Sequence, residues 1–367
     1  MESGKLGKRE YMSIAILMIG AKATDSNPAL LYSKVQNAAW MVPLLSAVIF
    51  FVGLFLLLKT MDLFQGKNLF SVIQQLLGRY IGFFLCLVIF LISSFGISFD
   101  SRTYTNIIRS FYFTTTPNLI IYAVLMVLGA YGAKKGIQNI GSVGYLVVFY
   151  VVLSLFFALI ISTQDSTLQA IFPIWGPGKL EILKQSSLKI TLYAEFFLLT
   201  MLIPNMTSIK EFRKSTWYAF AFVSFQISIA ILIFICMFDT SLKGIGYPFH
   251  TSIGFLSLGL YLPNVEILFF VLWILAIFVR FAAFIYLNAL MFGHLFKIND
   301  HKFLIPALTT IYLLIGSIPE NAIEVSLVFK QAITNISGPT FFVISLLLWF
   351  VALVKGEFKH AKNRNGM

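Results

Sequence analysis

Tyr11-Met12-Ser13-Ile14-Ala15-Ile16-Leu17-Met18-Ile19 runs into Gly20-Ala21-Lys22-Ala23-Thr24-Asp25-Ser26-Asn27 and then into Pro28-Ala29-Leu30-Leu31. Each apolar piece is shorter than the ~20 residues that a helix needs to cross a bilayer. With Gly20, the first covers roughly 15 Å as a helix, about half of the hydrocarbon core. Backbone freed at membrane depth is tolerated only where protein covers it or where it lines a cavity. Discontinuous helices of this kind build the substrate sites of many secondary transporters. Two alternatives follow. Either unwound backbone at 20–25 receives a ligand, or the span is a continuous tilted helix in which Lys22 and Asp25, three residues apart, pair with each other. No small-residue cleavage site follows the apolar run, so it reads as a retained span rather than a signal peptide.

The rest of the chain has the same membrane character. Hydrophobic residues make up 59 % of the 367 and charged residues 11 %, against roughly a quarter charged in soluble domains. Apolar runs recur along the whole length, which makes this an all-α polytopic membrane protein. Ten spans are expected, at 10–32 (broken), 39–59, 79–107, 117–133, 141–162, 188–206, 216–238, 265–293, 303–319 and 337–354. The net charge of +12 sits in short clusters between these runs, which argues against nucleic acid. Seventeen Lys and Arg fall in the loops and tail on the side of the termini and eight on the other side, so both termini are expected in the cytoplasm. Cys86 and Cys236 lie in apolar segments and give neither a disulfide framework nor metal-ligand spacing. His250, His294, His301 and His360 fit no metal or catalytic pattern and read as solvated or interfacial. No cofactor is expected.

Five spans, a link at 163–187 and five more spans form one transmembrane domain. The first repeat covers about 10–162 and the second about 188–354, followed by a basic tail at 355–367. An odd number of spans per half turns the second half upside down, so any repeat is inverted. Irregularities recur at the same ordinal places. The link 61–78 is amphipathic, and the link 239–264 is partly apolar through Gly244-Ile245-Gly246-Tyr247-Pro248-Phe249; spans 3 and 8 are both long. Span 6 should then mirror the broken span 1. It holds Tyr193-Ala194-Glu195-Phe196-Phe197 with Thr200, Pro204 and Asn205, an acid and a proline but no glycine.

These residues resemble a family. The basic N-terminus runs into a span broken at Gly20-Ala21. Tyr193-Ala194-Glu195 and Pro204 follow in span 6, and Arg280 in span 8 precedes Asn288-Ala289-Leu290-Met291-Phe292-Gly293-His294-Leu295-Phe296-Lys297. Together they are similar to the spore germination permeases, the B subunits of nutrient germinant receptors, within the amino acid–polyamine–organocation superfamily. The resemblance covers essentially the whole chain. It departs from the family pattern in span 6, where Tyr193-Ala194 replace a glycine. It implies a LeuT-like 5+5 inverted repeat with discontinuous helices 1 and 6, and a subunit that senses an amino acid or similar small nutrient. It also implies a complex with a larger membrane A subunit and a lipoprotein C subunit in the spore inner membrane.

Several residues are candidates for the ligand site. Gly20, Ala21, Lys22, Ala23 and Thr24 would offer backbone groups to a ligand, with Lys22 facing a carboxylate or standing where a transporter holds a cation. Glu195 lies deep in span 6, where an ionised acid costs about 2.5–3.5 kcal/mol on insertion scales and therefore needs a partner. It either binds a ligand ammonium or gates the site, or else forms a structural ion pair, with Arg280 a candidate partner. Arg280, in span 8, either ties helices through Glu195 or Asp25 or acts as a gate or as a clamp on a ligand carboxylate. Ser93, Ser94, Gly96 and Ser98 would border the substrate in a LeuT-like arrangement, or else pack helices. Tyr193, Phe196 and Phe197 would wall the pocket. Asp100 is expected to pair locally with Arg102. The alternative function is a proton-coupled amino acid transporter of the same superfamily; Trp273 to Leu287 holds no Ser or Thr, which tilts away from sodium. A membrane enzyme is disfavoured, because the loops hold no paired carboxylates or metal ligands.

Overall fold

The computed structural model describes residues 5–164, 166–255 and 265–359; His360, the end of the basic tail and 256–264 of the second long link lie outside the described residues. The described chain is nearly all helical. The first span is broken. Helix α1 (Lys8–Gly20) passes into a 3₁₀ turn at Ala21–Ala23, and α2 (Asn27–Val35) starts afresh. The new start follows from sequence. Asp25 accepts the backbone N–H of Asn27 at 2.8 Å, and Pro28, which has no N–H to lose, sits in the first turn.

Helix α3 (Met41–Leu63) is followed by the amphipathic α4 (Leu69–Leu77), capped by Asn68, whose side chain accepts from Ser71 N–H at 2.8 Å. Its apolar face, Leu69, Phe70, Val72, Ile73 and Leu76, is buried. Gly78, at φ +82°, turns α4 into α5 (Arg79–Phe111) with almost no spacer, a conformation that favours glycine. Gly136, at φ +93°, does the same between α6 (Asn118–Lys135) and α7 (Ile137–Ser162).

The sixth span is a composite. Helix α8 (Lys179–Leu188) tightens to a 3₁₀ stretch at Lys189–Tyr193, relaxes in α9 (Glu195–Leu199) and tightens again at Thr200–Asn205. Helix α10 (Ile209–Phe238), the short α11 (Pro248–Phe255) within the second long link, α12 (Val265–Phe296) and α13 (Ile305–Gly316) follow. The last span begins earlier than its apolar run suggests. Helix α14 (Ala322–Glu324) leads through a π-helical turn at Val325–Lys330 into α15 (Gln331–Val354).

Among the described residues, seven helical segments are long and apolar enough to cross a membrane: Met41–Leu63, Arg79–Phe111, Ile137–Ser162, Lys179–Asn205, Ile209–Gly244, Glu266–Phe296 and Ala322–Val354. The chain is therefore an integral membrane protein. The broken first span, α6 and the 12-residue α13 occupy the other three expected places without meeting that criterion. Burial separates the roles of the seven. In its apolar 18-residue stretch the sixth span has 89 % of its residues buried and Ile137–Ser162 only 28 %, so the former threads the core while the latter presents Leu146, Phe149, Tyr150, Leu153 and Phe157 outward.

Candidate functional site

The break in the first span leaves backbone groups that must find partners inside the protein. Ala21 C=O accepts from Thr24 N–H at 3.0 Å, from the Thr24 hydroxyl at 2.7 Å and from the Tyr104 hydroxyl at 3.0 Å. Trp273 Nε1–H donates to Thr24 Oγ1 at 2.9 Å. The unwound turn is thus held from α5 and α12.

Its two charged side chains do not pair with each other. Lys22 reaches the sixth span, donating to Thr191 C=O at 3.1 Å, Leu192 C=O at 2.8 Å and Glu195 Oε2 at 2.5 Å. These carbonyls belong to the 3₁₀ stretch Lys189–Tyr193. Asp25 Oδ2 instead accepts from Lys330 Nζ at 2.9 Å, and the same ammonium lies 3.1 Å from Asp100 Oδ1. Asp100 Oδ2 accepts from Arg280 Nε at 2.9 Å and Nη2 at 2.5 Å, and Nη2 stands 3.5 Å from Glu195 Oε1. Asp25, Lys330, Asp100, Arg280, Glu195 and Lys22 therefore alternate in sign around a ring that starts and ends on the break. It ties together helices α5 and α12, the sixth span and the π-helical turn that leads into α15. All six are buried. Desolvation of any one alone would cost several kcal/mol, and the alternation compensates it.

The ring flanks a cavity of about 80 Å³. Its walls are Lys22 and Asn27 of the break, Ser93, Gly96 and Asp100 of α5, and Thr191, Leu192, Ala194 and Glu195 of the sixth span. Arg280 and Phe284 of α12 and Lys330, Thr334, Ser337 and Phe341 of the last span complete it. Two buried polar groups in the walls lack any hydrogen-bond partner, Arg280 Nη1 and Ser93 Oγ. Lys330 reaches the cavity from the end of a π-helical turn, a distortion that recurs at functional sites.

The expected site residues fall into three groups. Lys22 and Glu195 line this cavity, and Asp25 and Arg280 belong to its ring. Gly20, Ala21 and Thr24 line a second, smaller cavity of about 30 Å³ on the other face of the break, with Gln226 and Trp273; Ala23 is fully buried. Ser94, Tyr193 and Phe197 lie one residue or one layer behind the main cavity. Ser94 Oγ donates to Asn288 Oδ1 at 3.3 Å, Tyr193 OH donates to Pro43 C=O at 2.9 Å, and Phe197 stacks on the lining Phe341 with ring centroids 4.7 Å apart.

Other expectations change. Asp100 pairs with Arg280 and Lys330 rather than Arg102, because two residues of continuous helix set the two side chains about 200° apart, and Arg102 lies over the Tyr122 ring at 5.7 Å. Arg280 has Asp100 as its main partner, with Glu195 second. His250 is buried, its Nδ1 3.0 Å from the Tyr112 hydroxyl and its ring edge-on to Trp273, because α11 folds inward. Lys330 was not expected at the site. It precedes the last apolar run by six residues and reads as a loop cation until the helix is seen to start at Ala322. Among the described residues no group of three or more His, Cys, Asp or Glu could hold a metal ion.

A bundle of apolar helices, two of them interrupted around a buried charged cavity, defines a membrane protein of transporter build. Solved structures bear this out at the level of fold. MhsT in complex with L-phenylalanine superposes with a TM-score of 0.72 at 14 % identity over 95 % of this chain and 89 % of its own. Mhp1, a nucleobase-cation-symport-1 family transporter, matches at 0.61 and 13 % identity over 99 % and 96 %. The fold is LeuT-like. Residues 9–325 match the family described as spore germination protein, and the chain belongs to that family. Its relatives include spore germination protein B2 of Bacillus subtilis (strain 168), 25 % identical over 64 % of this chain, and spore germination protein KB of the same organism, 22 % identical over 81 %. The matched region spans 65 % of the length of B2 and 80 % of that of KB. The family and its structural neighbours are permeases and transporters rather than enzymes.

Proposed function

We propose that the chain is the germinant-sensing membrane subunit of a nutrient receptor, and that an amino acid or similar small nutrient binds in the cavity between the two interrupted helices. The observation that carries this is the cavity's wall: a buried guanidinium N–H and a buried hydroxyl stand without partners beside a charge ring spanning five elements. Buried polar groups are usually paired, and ligand oxygens in this cavity would supply partners for both. The complex of MhsT with L-phenylalanine on the same fold supports a ligand of amino acid size. Binding would shift the population between arrangements of the ring and pass the change to partners, a larger membrane A subunit and a lipoprotein C subunit, in the spore inner membrane. In this reading the two repeats, about 10–162 and 188–354, are inverted, and both termini are cytoplasmic.

A second reading, a proton-coupled amino acid transporter, has its own support in three buried acids that share three cations. Binding and uptake of radiolabelled amino acids by the purified chain, with and without a reconstituted proton gradient, separates the two. Binding without gradient-driven uptake is expected of the sensor, and concentrative uptake would make the chain a transporter.

A further inference from the structure

The cavity carries its own ammonium group. Lys22 Nζ has three protons and no acceptor capacity, and it has three acceptors: Thr191 C=O, Leu192 C=O and Glu195 Oε2. Two main-chain carbonyls from a 3₁₀ stretch plus a carboxylate form an oxygen cage that would suit a ligand ammonium or a monovalent cation equally well. The cage is full. The other acids of the ring are also taken, Asp100 by Arg280 and Lys330 and Asp25 by Lys330. Every carboxylate of the ring is thus already paired with a cation, and the oxygen least engaged, Glu195 Oε1, stands 3.5 Å from Arg280 Nη2, so a further ammonium would bring a seventh charge and a net positive balance into the ring, which is costly.

The free groups are of the opposite kind. Arg280, 1 % exposed, keeps Nη1–H without an acceptor, and a guanidinium can only donate. Ser93, 4 % exposed, lines the same cavity with a hydroxyl free to donate.

We propose that Lys22 is a tethered ammonium that fills the cation subsite of the cavity, so that the ligand is recognised through carboxylate or carbonyl oxygens at Arg280 and Ser93 and gains nothing from an ammonium group of its own. This rests on the cavity being the ligand site. It narrows the ligand class: an amino acid binds through its carboxylate, and the corresponding 2-hydroxy acid binds as well. It also removes any requirement for a sodium ion at the cage.

Equilibrium binding to the purified full chain in detergent tests it with three matched pairs: L-alanine and L-lactate, L-valine and L-2-hydroxyisovalerate, L-phenylalanine and L-phenyllactate. For any pair that binds, the hydroxy acid is expected within about three-fold of the amino acid, and replacing sodium by choline changes neither. In Lys22→Ala the vacated cage takes the ligand ammonium, and the amino acid gains about ten-fold or more over its partner. The wild-type comparison decides the matter even if that variant does not fold. A wild-type preference for the amino acid beyond about thirty-fold would overturn the tethered-ammonium proposal while leaving the cavity as the ligand site. Binding of none of the six would overturn both.

Discussion

The two interrupted spans solve the same problem in different ways. The first stops. Between Gly20 and Asn27 the chain makes one 3₁₀ turn and leaves helical geometry, and its freed carbonyl at Ala21 is covered by hydroxyls. The sixth never stops but changes pitch, α to 3₁₀ to α to 3₁₀, between Lys179 and Asn205. The first contributes charged side chains, Lys22 and Asp25; the sixth contributes main-chain oxygens and one acid, Glu195. Where pitch changes, the i to i−4 pattern shifts register and carbonyls at the seam become available to a partner. Lys22 takes two of them. A break that supplies charge and a pitch change that supplies backbone are complementary halves of one site.

The largest effect should come from removing the link between the halves. Lys22→Ala leaves Glu195 buried with only a 3.5 Å contact to Arg280, and breaking a buried pair typically costs about 3–5 kcal/mol. Thermal unfolding in detergent should show it, and a Lys22→Ala/Glu195→Ala double variant should recover part of the loss. Additive losses would mean that the two side chains do not support each other. Next is the seam itself. Gly338 of α15 packs so closely on the 3₁₀ stretch that an added Cβ would stand 2.6 Å from Thr191 N. Gly338→Ala should therefore cost about 1–3 kcal/mol by overpacking and weaken ligand binding, since Thr191 lines the cavity. Gly20→Leu should cost a similar amount, for a different reason: an added Cβ meets the Gln226 side chain at 2.8 Å, at the end of a flexible group and away from the main cavity. Its stability loss should exceed its loss of ligand affinity, and the reverse order would place Gly20 on the ligand path. The smallest effect is expected at Tyr193. Tyr193→Phe removes one buried hydrogen bond to Pro43 C=O, worth about 1 kcal/mol, and should leave ligand binding unchanged.

The same contrast explains what the chain revealed in advance. The first break was legible because glycine, lysine, aspartate and proline fall inside nine residues of an otherwise apolar run, and no continuous membrane helix accommodates them cheaply. The change of pitch in the sixth span was only half legible. Glu195 and Pro204 mark the segment, but nothing in Lys189-Ile190-Thr191-Leu192-Tyr193 signals a 3₁₀ helix, because that conformation is imposed by packing against Gly338 and by the pull of Lys22. Charges were easier to locate than to pair. Glu195 and Arg280 stood out as charges deep in apolar spans, and Lys22 and Asp25 as charges inside the first break, yet partners depend on which faces of five elements meet. Lys330 was missed as a partner because its helix begins with too little hydrophobicity to be seen. Ser94 and Ser93 differ by one residue, about 100° around a helix, and that angle decides which faces the cavity.

The account stands on the cavity between the interrupted helices being where the ligand goes. Gly96 lines it with room to spare, since an added Cβ would meet only Ile333 Cγ2 at 4.0 Å. Gly96→Phe would fill the space. The decisive measurement is equilibrium binding of radiolabelled amino and hydroxy acids to wild type and Gly96→Phe, with unfolding temperature recorded on the same samples. Loss of binding at an unchanged unfolding temperature is the predicted result. Undiminished binding by a folded Gly96→Phe protein would contradict the site.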